Sequence, residues 1–522
     1  MRHESVWSES LNRSSCPALE ANVSVDVAII GAGVTGITAA LLLKQAGKKV
    51  ALIEKHRVAS GETGHTTAHL TAALDVRYQD LERSFGAEGA RLAAESSTAA
   101  IQQIADQVRL GKLDCGFALV PAFLYSEHSD DLHTLEQEVA SMDLAGLQAR
   151  MVKSVPLPFP VRCALALDGQ AQIDPGAYLL PLAATIPGRG SHVFENTQVT
   201  GIEEGEPCRV TTAGGVVTSE SILVTANVPI SNLILIHTKL AAYRTYAIAA
   251  VVKNPPPAGL YWDLAEPYHY TRTHELGGQT LLLVGGEDHK TGEEPDANER
   301  WARLKVYTKE RYQVESFKYA WSGQIIEPAD RLPYIGLNSL SSHTYVATGY
   351  SGNGMTFGTL AGMLLSDAVL GRKNRWAELF DATRIKPFAA AERYLSENAD
   401  VAVRMIGDRL AGGEDQLVSD VKPGEGKLVE IDGETVAVYR NRTGACTTLS
   451  PVCPHLAGIV NWNNAEATWD CPCHGSRFDR FGKVLNGPAM SDLSEAQVAV
   501  GPTTVADEAP VLPPALKRAG NG

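Results

Sequence analysis

Asp26-Val27-Ala28-Ile29-Ile30-Gly31-Ala32-Gly33-Val34-Thr35-Gly36 opens as a β-branched run and closes as a glycine turn. The run has the character of a strand buried on both faces of a parallel sheet. An apolar helical stretch, Ile37 to Leu43, follows and stops near Gly47. A second strand, Lys49-Val50-Ala51-Leu52-Ile53, then leads to Glu54. G-x-G-x-x-G alone is weak evidence, but strand, glycine turn, helix, strand and acid in this order spell a dinucleotide-binding unit. Gly31, Gly33 and Gly36, with Val34 and Thr35, let the backbone approach a pyrophosphate at a helix N-terminus. Glu54 can accept from ribose hydroxyls, with Lys55 beside it, and an acid there disfavours a 2′-phosphate. The pattern does not separate FAD from NAD.

The chain further on does. Residues 60–70, Ser-Gly-Glu-Thr-Gly-His-Thr-Thr-Ala-His-Leu, form a hydroxyl-rich loop. Ser60, Gly61, Thr63, His65, Thr66 and Thr67 can wrap a diphosphate and reach a flavin ring. Much later come Ala329-Asp330-Arg331-Leu332-Pro333-Tyr334-Ile335-Gly336, a strand Thr344 to Thr348, the turn Gly349-Tyr350-Ser351-Gly352-Asn353-Gly354-Met355, and a helix from about Thr356 to Leu370. This order resembles the glycine/D-amino-acid oxidase superfamily of FAD-dependent oxidoreductases over residues 26–372. The resemblance implies FAD, with Asp330 and Gly349, Gly352, Asn353, Gly354 and Met355 closing over the isoalloxazine and Val199 beside the adenine. A helix N-terminus there stabilises negative charge on the reduced ring. Ser60-Gly61-Glu62-Thr63-Gly64-His65 is also similar to the stretch that carries a covalent flavin–histidine bond in dimethylglycine and sarcosine dehydrogenases. Gly64 stands where they have tryptophan, and Ala68-His69 departs from their Ala-Gly. A covalent link at His65, a hydrogen bond to the cofactor and a plain loop histidine all stay open.

A second motif lies near the C-terminus: Cys453-Pro454-His455, a fifteen-residue spacer, then Cys471-Pro472-Cys473-His474. Two thiolates and two imidazoles suit a tetrahedral zinc. The flanks, Gly475-Ser476-Arg477-Phe478-Asp479 and the later Gly487-Pro488-Ala489 turn, instead resemble the Rieske [2Fe–2S] family. That resemblance implies Cys453 and Cys471 on one iron and His455 and His474 on the other. Two departures matter. Gly458 stands where quinol-oxidising Rieske proteins have a cysteine that pairs with the one matching Cys473, so that disulfide cannot form. Phe478 stands where they have a tyrosine bonded to a ligand sulfur. Fewer hydrogen bonds to sulfur imply a lower potential, although Ser476 can still supply one.

A net charge of −14 disfavours nucleic acid or anionic membrane as partner. The eight cysteines show no disulfide-scaffold spacing, so a reducing cytoplasm is expected. The N-terminus lacks an apolar signal region, and no run of about 18 apolar residues suggests a membrane span.

Residues 81–110 and 128–148 read as helices, 117–125 as a strand, and Asp174-Pro175 starts a helix to about Thr185. Strands at 197–203, 208–212 and 221–225 return to the nucleotide domain. Strand-like runs at 243–248, 268–272 and 280–284 form a sheet whose Tyr246, His269, Tyr270 and Arg272 are substrate-pocket candidates. Gly285-Gly286-Glu287-Asp288-His289-Lys290-Thr291-Gly292 reads as a solvated turn, with a metal site as the alternative, and Trp301 to Tyr312 as a helix. The expected architecture is an N-terminal extension (1–25) and an α/β FAD-binding Rossmann-like domain (about 26–80, 150–230 and 330–372) with an α+β substrate domain (about 231–329). A helical linker (373–420, helices at 387–398 and 401–410), a small all-β Rieske domain (421–507) and a loose tail (508–522) complete it. The expected function is an FAD-dependent dehydrogenase that oxidises an amine or amino acid and passes electrons to the cluster and an external acceptor. An O₂-using oxidase and an NAD(P)H-fed electron-transfer protein are the alternatives. Entry from NAD(P)H calls for a second G-x-G-x-x-G unit, and the sequence shows none.

Overall fold

The computed structural model describes residues 1–11, 14–230, 234–385, 418–431 and 433–496. Val27–Ile30 is buried at every position, as a central parallel strand must be. It lies between Val50–Ile53 and Ser221–Val224, parallel to both. The full sheet adds Thr344–Thr348 and an antiparallel edge, Tyr334–Leu337, on one side and His192–Phe194 on the other. Segments more than three hundred residues apart thus meet beside the glycine turn. Helix Val34–Gln45 leaves that turn and packs on helix Gly354–Val369. Val199–Glu203 and Cys208–Thr212 join Val23–Ser24 and Gly215–Ser219 in a small separate sheet.

A nine-stranded mixed sheet builds the other half, with Val314–Pro328, Leu240–Val252, Gln279–Lys290 and His269–Leu276 as consecutive neighbours. Helix Asn298–Arg311 packs on it. Two long members carry no clean strand signal. Cys163–Gln172 is alanine-rich and interrupted by Asp168-Gly169, and alanine and glycine are poor strand formers. Val314–Pro328 loses its alternation where Ser322 and Gln324 are polar and bond another domain, with Gly323 between them against Glu62 and His65.

Residues 285–292 need a correction: they are not a solvated turn. Strand Gln279–Lys290 runs on through residues 285–290 and only 291–292 turn, with Glu287 and Thr291 buried. The glycines that suggested a turn answer to close packing. A Cβ at Gly285 would lie 2.2 Å from Cζ of Tyr270, and one at Gly286 would lie 2.2 Å from the Tyr268 carbonyl oxygen.

Helix Tyr78–Gly111 is longer than expected and breaks at Gly86, whose φ of 74° is left-handed. The N-terminal extension is not loose where described. Trp7 is fully buried, its indole donates to Thr66 O (2.7 Å), and Arg272 lies over its ring.

The C-terminal domain has two antiparallel sheets, Gly426–Ile431, Glu434–Arg440, Cys446–Leu449 and Asn461–Asn463, Thr468–Asp470, Arg477–Asp479, Val484–Asn486. They share one core, in which Trp469 and Phe478 are fully buried beside Cys453, Cys471 and Cys473. The expected linker helices at 387–398 and 401–410, the tail, and the domain beyond residue 496 lie outside the described residues.

Candidate active site

One cleft, with an empty volume of about 1920 Å³ partly open to solvent, runs from the glycine turn to the nine-stranded sheet. Gly31, Gly33, Val34, Thr35, Glu54, Lys55 and Val199 line it, as do Gly61, Thr63, His65, Thr66 and Thr67 from the hydroxyl-rich loop. Gly352, Asn353, Gly354 and Met355 line it from the start of the second helix. Glu54 is held by Ala32 N and His56 N, each donating at 2.9 Å, while burial pushes its carboxyl pKa up. Thr63 Oγ1 accepts from Val34 N (3.2 Å), which fixes the loop across the turn. Trp321 Nε1 donates to His65 O (2.7 Å), and burial keeps the His65 ring below its ordinary pKa, hence neutral.

Four residues expected on the cofactor do not reach the cleft. A Cβ at Gly36 would stand 2.0 Å from Gly31 O, so its missing side chain lets the helix pack on the strand. Ser60 turns back onto the Arg57 backbone. Asp330 is buried in a bidentate pair with Arg384 (2.8 and 2.7 Å). Gly349, with a φ of 79°, turns the chain behind Pro328.

Of the substrate-pocket candidates, only Tyr270 lines the cleft, together with Thr245, Trp262 and Tyr268. Strand side chains alternate between faces. Tyr246 therefore faces away and bonds His289 Nε2 through its hydroxyl (3.0 Å). His269 also faces away, between Asp263 (3.1 Å) and Glu287 (3.4 Å), and stacks on Tyr307 at 3.8 Å. Arg272 shares the parity of Tyr270 but is buried under the N-terminal segment, where it donates to Ile173 O (3.1 Å) and lies over Trp7.

Two loops of the C-terminal domain bring the second motif together. The Cys453 and Cys471 thiols hydrogen-bond to each other, and the Cys453 sulfur also meets the Ser476 hydroxyl and the His455 and Leu456 amides. The His455 and His474 rings stand 5.1 Å apart at 89°, and His474 Nδ1 is buried with no hydrogen-bond partner. A sulfur pair and an imidazole pair, one imidazole with a free buried nitrogen, is the donor set of a Rieske cluster. Among the described residues no three His, Cys, Asp or Glu side chains gather as a single-ion site. A Cβ at Gly458 would lie 2.5 Å from Cys473 Sγ, so these two positions do face each other, without a second sulfur.

No local pattern marked the junction between the halves. Val484, Leu485, Asn486, Gly487, Ala489 and Met490 of the C-terminal domain complete the wall of the cleft. Lys55 Nζ donates to Val484 O, and Asn486 Nδ2 donates to Glu62 Oε1 (2.9 Å). Gln324 lines the cleft, and its Nε2 donates to the carbonyl of Gly475, the residue after His474 (2.7 Å). His237 of the N-terminal half packs on both histidines of the second motif, its ring centroid 4.7 Å from His455 and 5.9 Å from His474. Glu466 is clamped by Arg244, Arg477 and Ser322.

The protein-family comparison matches residues 26–368 to FAD-dependent oxidoreductases (DAO) and residues 414–499 to the Rieske [2Fe–2S] domain. A putative Rieske 2Fe-2S iron-sulfur protein of Bacillus subtilis, YhfW, is 34% identical over 495 residues, covering 94% of this chain and 97% of its own. Gamma-glutamylputrescine oxidoreductase of Escherichia coli is 27% identical over 384 residues, covering 70% and 87%. Glycine oxidase from Geobacillus kaustophilus shares the fold, with a TM-score of 0.58 at 20% identity over 70% of this chain and 99% of that one. FAD and a Rieske cluster are accordingly the cofactors, and the cleft and the paired loops fit them. The chain belongs to the FAD-dependent oxidoreductase (DAO) family and carries a C-terminal Rieske [2Fe–2S] domain.

Proposed function

We propose that the protein is a dehydrogenase that oxidises an amine or amino acid at its C–N bond and forwards the electrons singly, through the cluster, to an external acceptor. Gln324 carries this reading, because one side chain both lines the flavin cleft and bonds the loop of His474. Oxidation breaks a C–H and an N–H bond, leaves C=N, and releases two electrons and two protons. Bound FAD supplies two-electron acceptance, and the cluster supplies one-electron relay.

The chain's own residues provide placement. Cys453 and Cys471 would hold one iron, and His455 and His474 the other. The imidazole edge turns inward, with His474 buried and His237 against both rings. The cysteine spacing, which matches no disulfide scaffold, supports a reducing, cytoplasmic setting.

Anaerobic titration followed by visible and EPR spectroscopy tests the reading. An amine or amino acid should bleach the flavin, and a Rieske-type signal should then grow in. A His474→Ala variant should bleach without the signal. Reduction by NAD(P)H alone would overturn the proposal. So would peroxide production that survives His474→Ala undiminished, since the cluster would then be dispensable.

A further inference from the structure

Among the described residues, two carboxyls stand at the sheet-side wall of the cleft with no lysine or arginine of that wall beside them. Asp75 opens onto it, with Oδ2 accepting from Gly352 N (2.6 Å). Asp288 stands behind the wall, hydrogen-bonded to Thr245 and Tyr268, and its Oδ1 is buried with no partner. Burial first, and then the nearby Asp75 charge, push Asp288 up to about 7, against the hydrogen bonds from Thr245 and Tyr268 and the His269 ring on the other face of the sheet.

Aromatic faces surround the pair. Trp262, Tyr268 and Tyr270 line this stretch, and the Tyr268 and Tyr270 ring centroids lie 5.9 Å apart. Among the described residues the cleft wall has one Lys or Arg, Lys55, and its ammonium is engaged by the Val484 and Leu485 carbonyls. The wall histidines do not compensate. Burial holds His56 near 4 and His69 near 3, so both are neutral at neutral pH. Arg77 acts on Asp75 from outside the wall. A buried carboxyl ordinarily has a cationic partner, and aromatic faces attract cations. An unpartnered buried oxygen, a second carboxylate and an aromatic box therefore ask for the same missing charge.

We propose that Asp75, Asp288 and the Trp262–Tyr268–Tyr270 faces form a binding site for an organic ammonium group. The substrate is then a cationic amine without a carboxylate at the reacting carbon, not an α-amino acid. This rests on the dehydrogenase reading above and narrows its substrate. An α-carboxylate entering here would meet Asp75 as a like charge and find no free cation.

The test uses the holoenzyme and two independent readouts. In the first, tetramethylammonium chloride, which cannot become an imine, is titrated against sodium acetate at equal ionic strength. Tetramethylammonium should perturb the flavin spectrum and raise the Tm, and acetate should do neither. Asp288→Asn and Asp75→Asn should each weaken that binding about tenfold or more, the scale of a lost close charge pair. In the second, anaerobic bleaching by 1,4-diaminobutane is compared with bleaching by glycine, sarcosine and D-alanine. The diamine should win, and Asp288→Asn should raise its KM by about tenfold while changing kcat far less. Bleaching by amino acids alone, or acetate binding tighter than tetramethylammonium, would overturn the ammonium site and leave the dehydrogenase reading intact. Bleaching by neither class while tetramethylammonium still binds would overturn the dehydrogenase reading and leave the ammonium site standing.

Discussion

Replacing Glu466 by glutamine keeps its shape and removes the charge that joins the two halves of the molecule. Arg244 Nη2 reaches both of its oxygens (2.8 and 2.7 Å), and Arg477 Nη2 reaches Oε2 (2.9 Å). Arg244 is only 1% exposed, so it has no water to fall back on. Burial alone would raise the Glu466 carboxyl, yet Arg244 and Arg477 hold it near 2, against an ordinary 4.5. That depression is worth about 3 kcal/mol at roughly 1.4 kcal/mol per pH unit. It agrees with the about 3–5 kcal/mol lost when one partner of a buried pair is removed. The folded value lies below the unfolded one, so this stabilisation is complete above pH 4.5 and disappears as pH falls through about 2. Two domains need not unfold as one, so urea unfolding is followed twice, by cluster visible dichroism and by flavin fluorescence. At neutral pH Glu466→Gln should lower the cluster transition by about 1–2 M urea, taking a slope of about 1.5–3 kcal/mol/M. After photoreduction of the flavin, the Rieske EPR signal should also appear more slowly. Lys483→Ala serves as control, because Lys483 and Asp492 pair at 2.7 Å with side chains 71% and 43% exposed, and such pairs contribute about 0–1 kcal/mol. Unchanged midpoint and transfer rate in Glu466→Gln, or equal damage from Lys483→Ala, would refute the reasoning.

Three further outcomes follow from single contacts. Ser476→Ala removes a hydroxyl bonded to the Cys453 sulfur, so the cluster potential should fall by about 40 mV, one hydrogen bond of about 1 kcal/mol expressed for one electron; EPR-monitored redox titration measures it, and a rise would contradict the assignment. Gly285→Ala places a methyl 2.2 Å from the Tyr270 ring, which should displace that ring from the cleft at about 1–3 kcal/mol; a lowered Tm together with weakened tetramethylammonium binding is the expected pair of results. Trp7→Ala empties a fully buried site and frees Thr66 O, so a loss of about 3–5 kcal/mol in thermal stability should accompany release of FAD on gel filtration.

What the sequence made legible was local. Gly31 to Glu54 and the Cys453–His474 motif are short stretches whose spacing suggests a nucleotide and a metal, and their resemblances and the comparisons identify the families they belong to. What it hid depended on which way a strand faces. The pocket candidates Tyr246 and His269 sit one residue from Thr245, Tyr268 and Tyr270, and that step puts a side chain on the opposite face. Glycines 285 and 286 looked like a turn because the tyrosines packed over them come from another strand, which no local pattern displays.

The junction was hidden for the same reason, and it is where the functional argument rests. Ser322 and Gln324 look like faults in a strand until Glu466 and Gly475 arrive from 144 and 151 residues away. Those contacts explain why polar side chains interrupt Val314–Pro328. A strand that only roofed a cofactor could be apolar on that face, whereas one shared by a flavin cleft and a cluster loop must satisfy backbone and carboxylate groups on its far side. The same contacts fix His455 and His474 against the FAD-dependent oxidoreductase domain through Gln324, Glu466 and His237 together. The relay proposed above would need a constant path more than a mobile carrier, and the buried charges at this seam hold the two domains in one arrangement, at the cost of tolerating little change there.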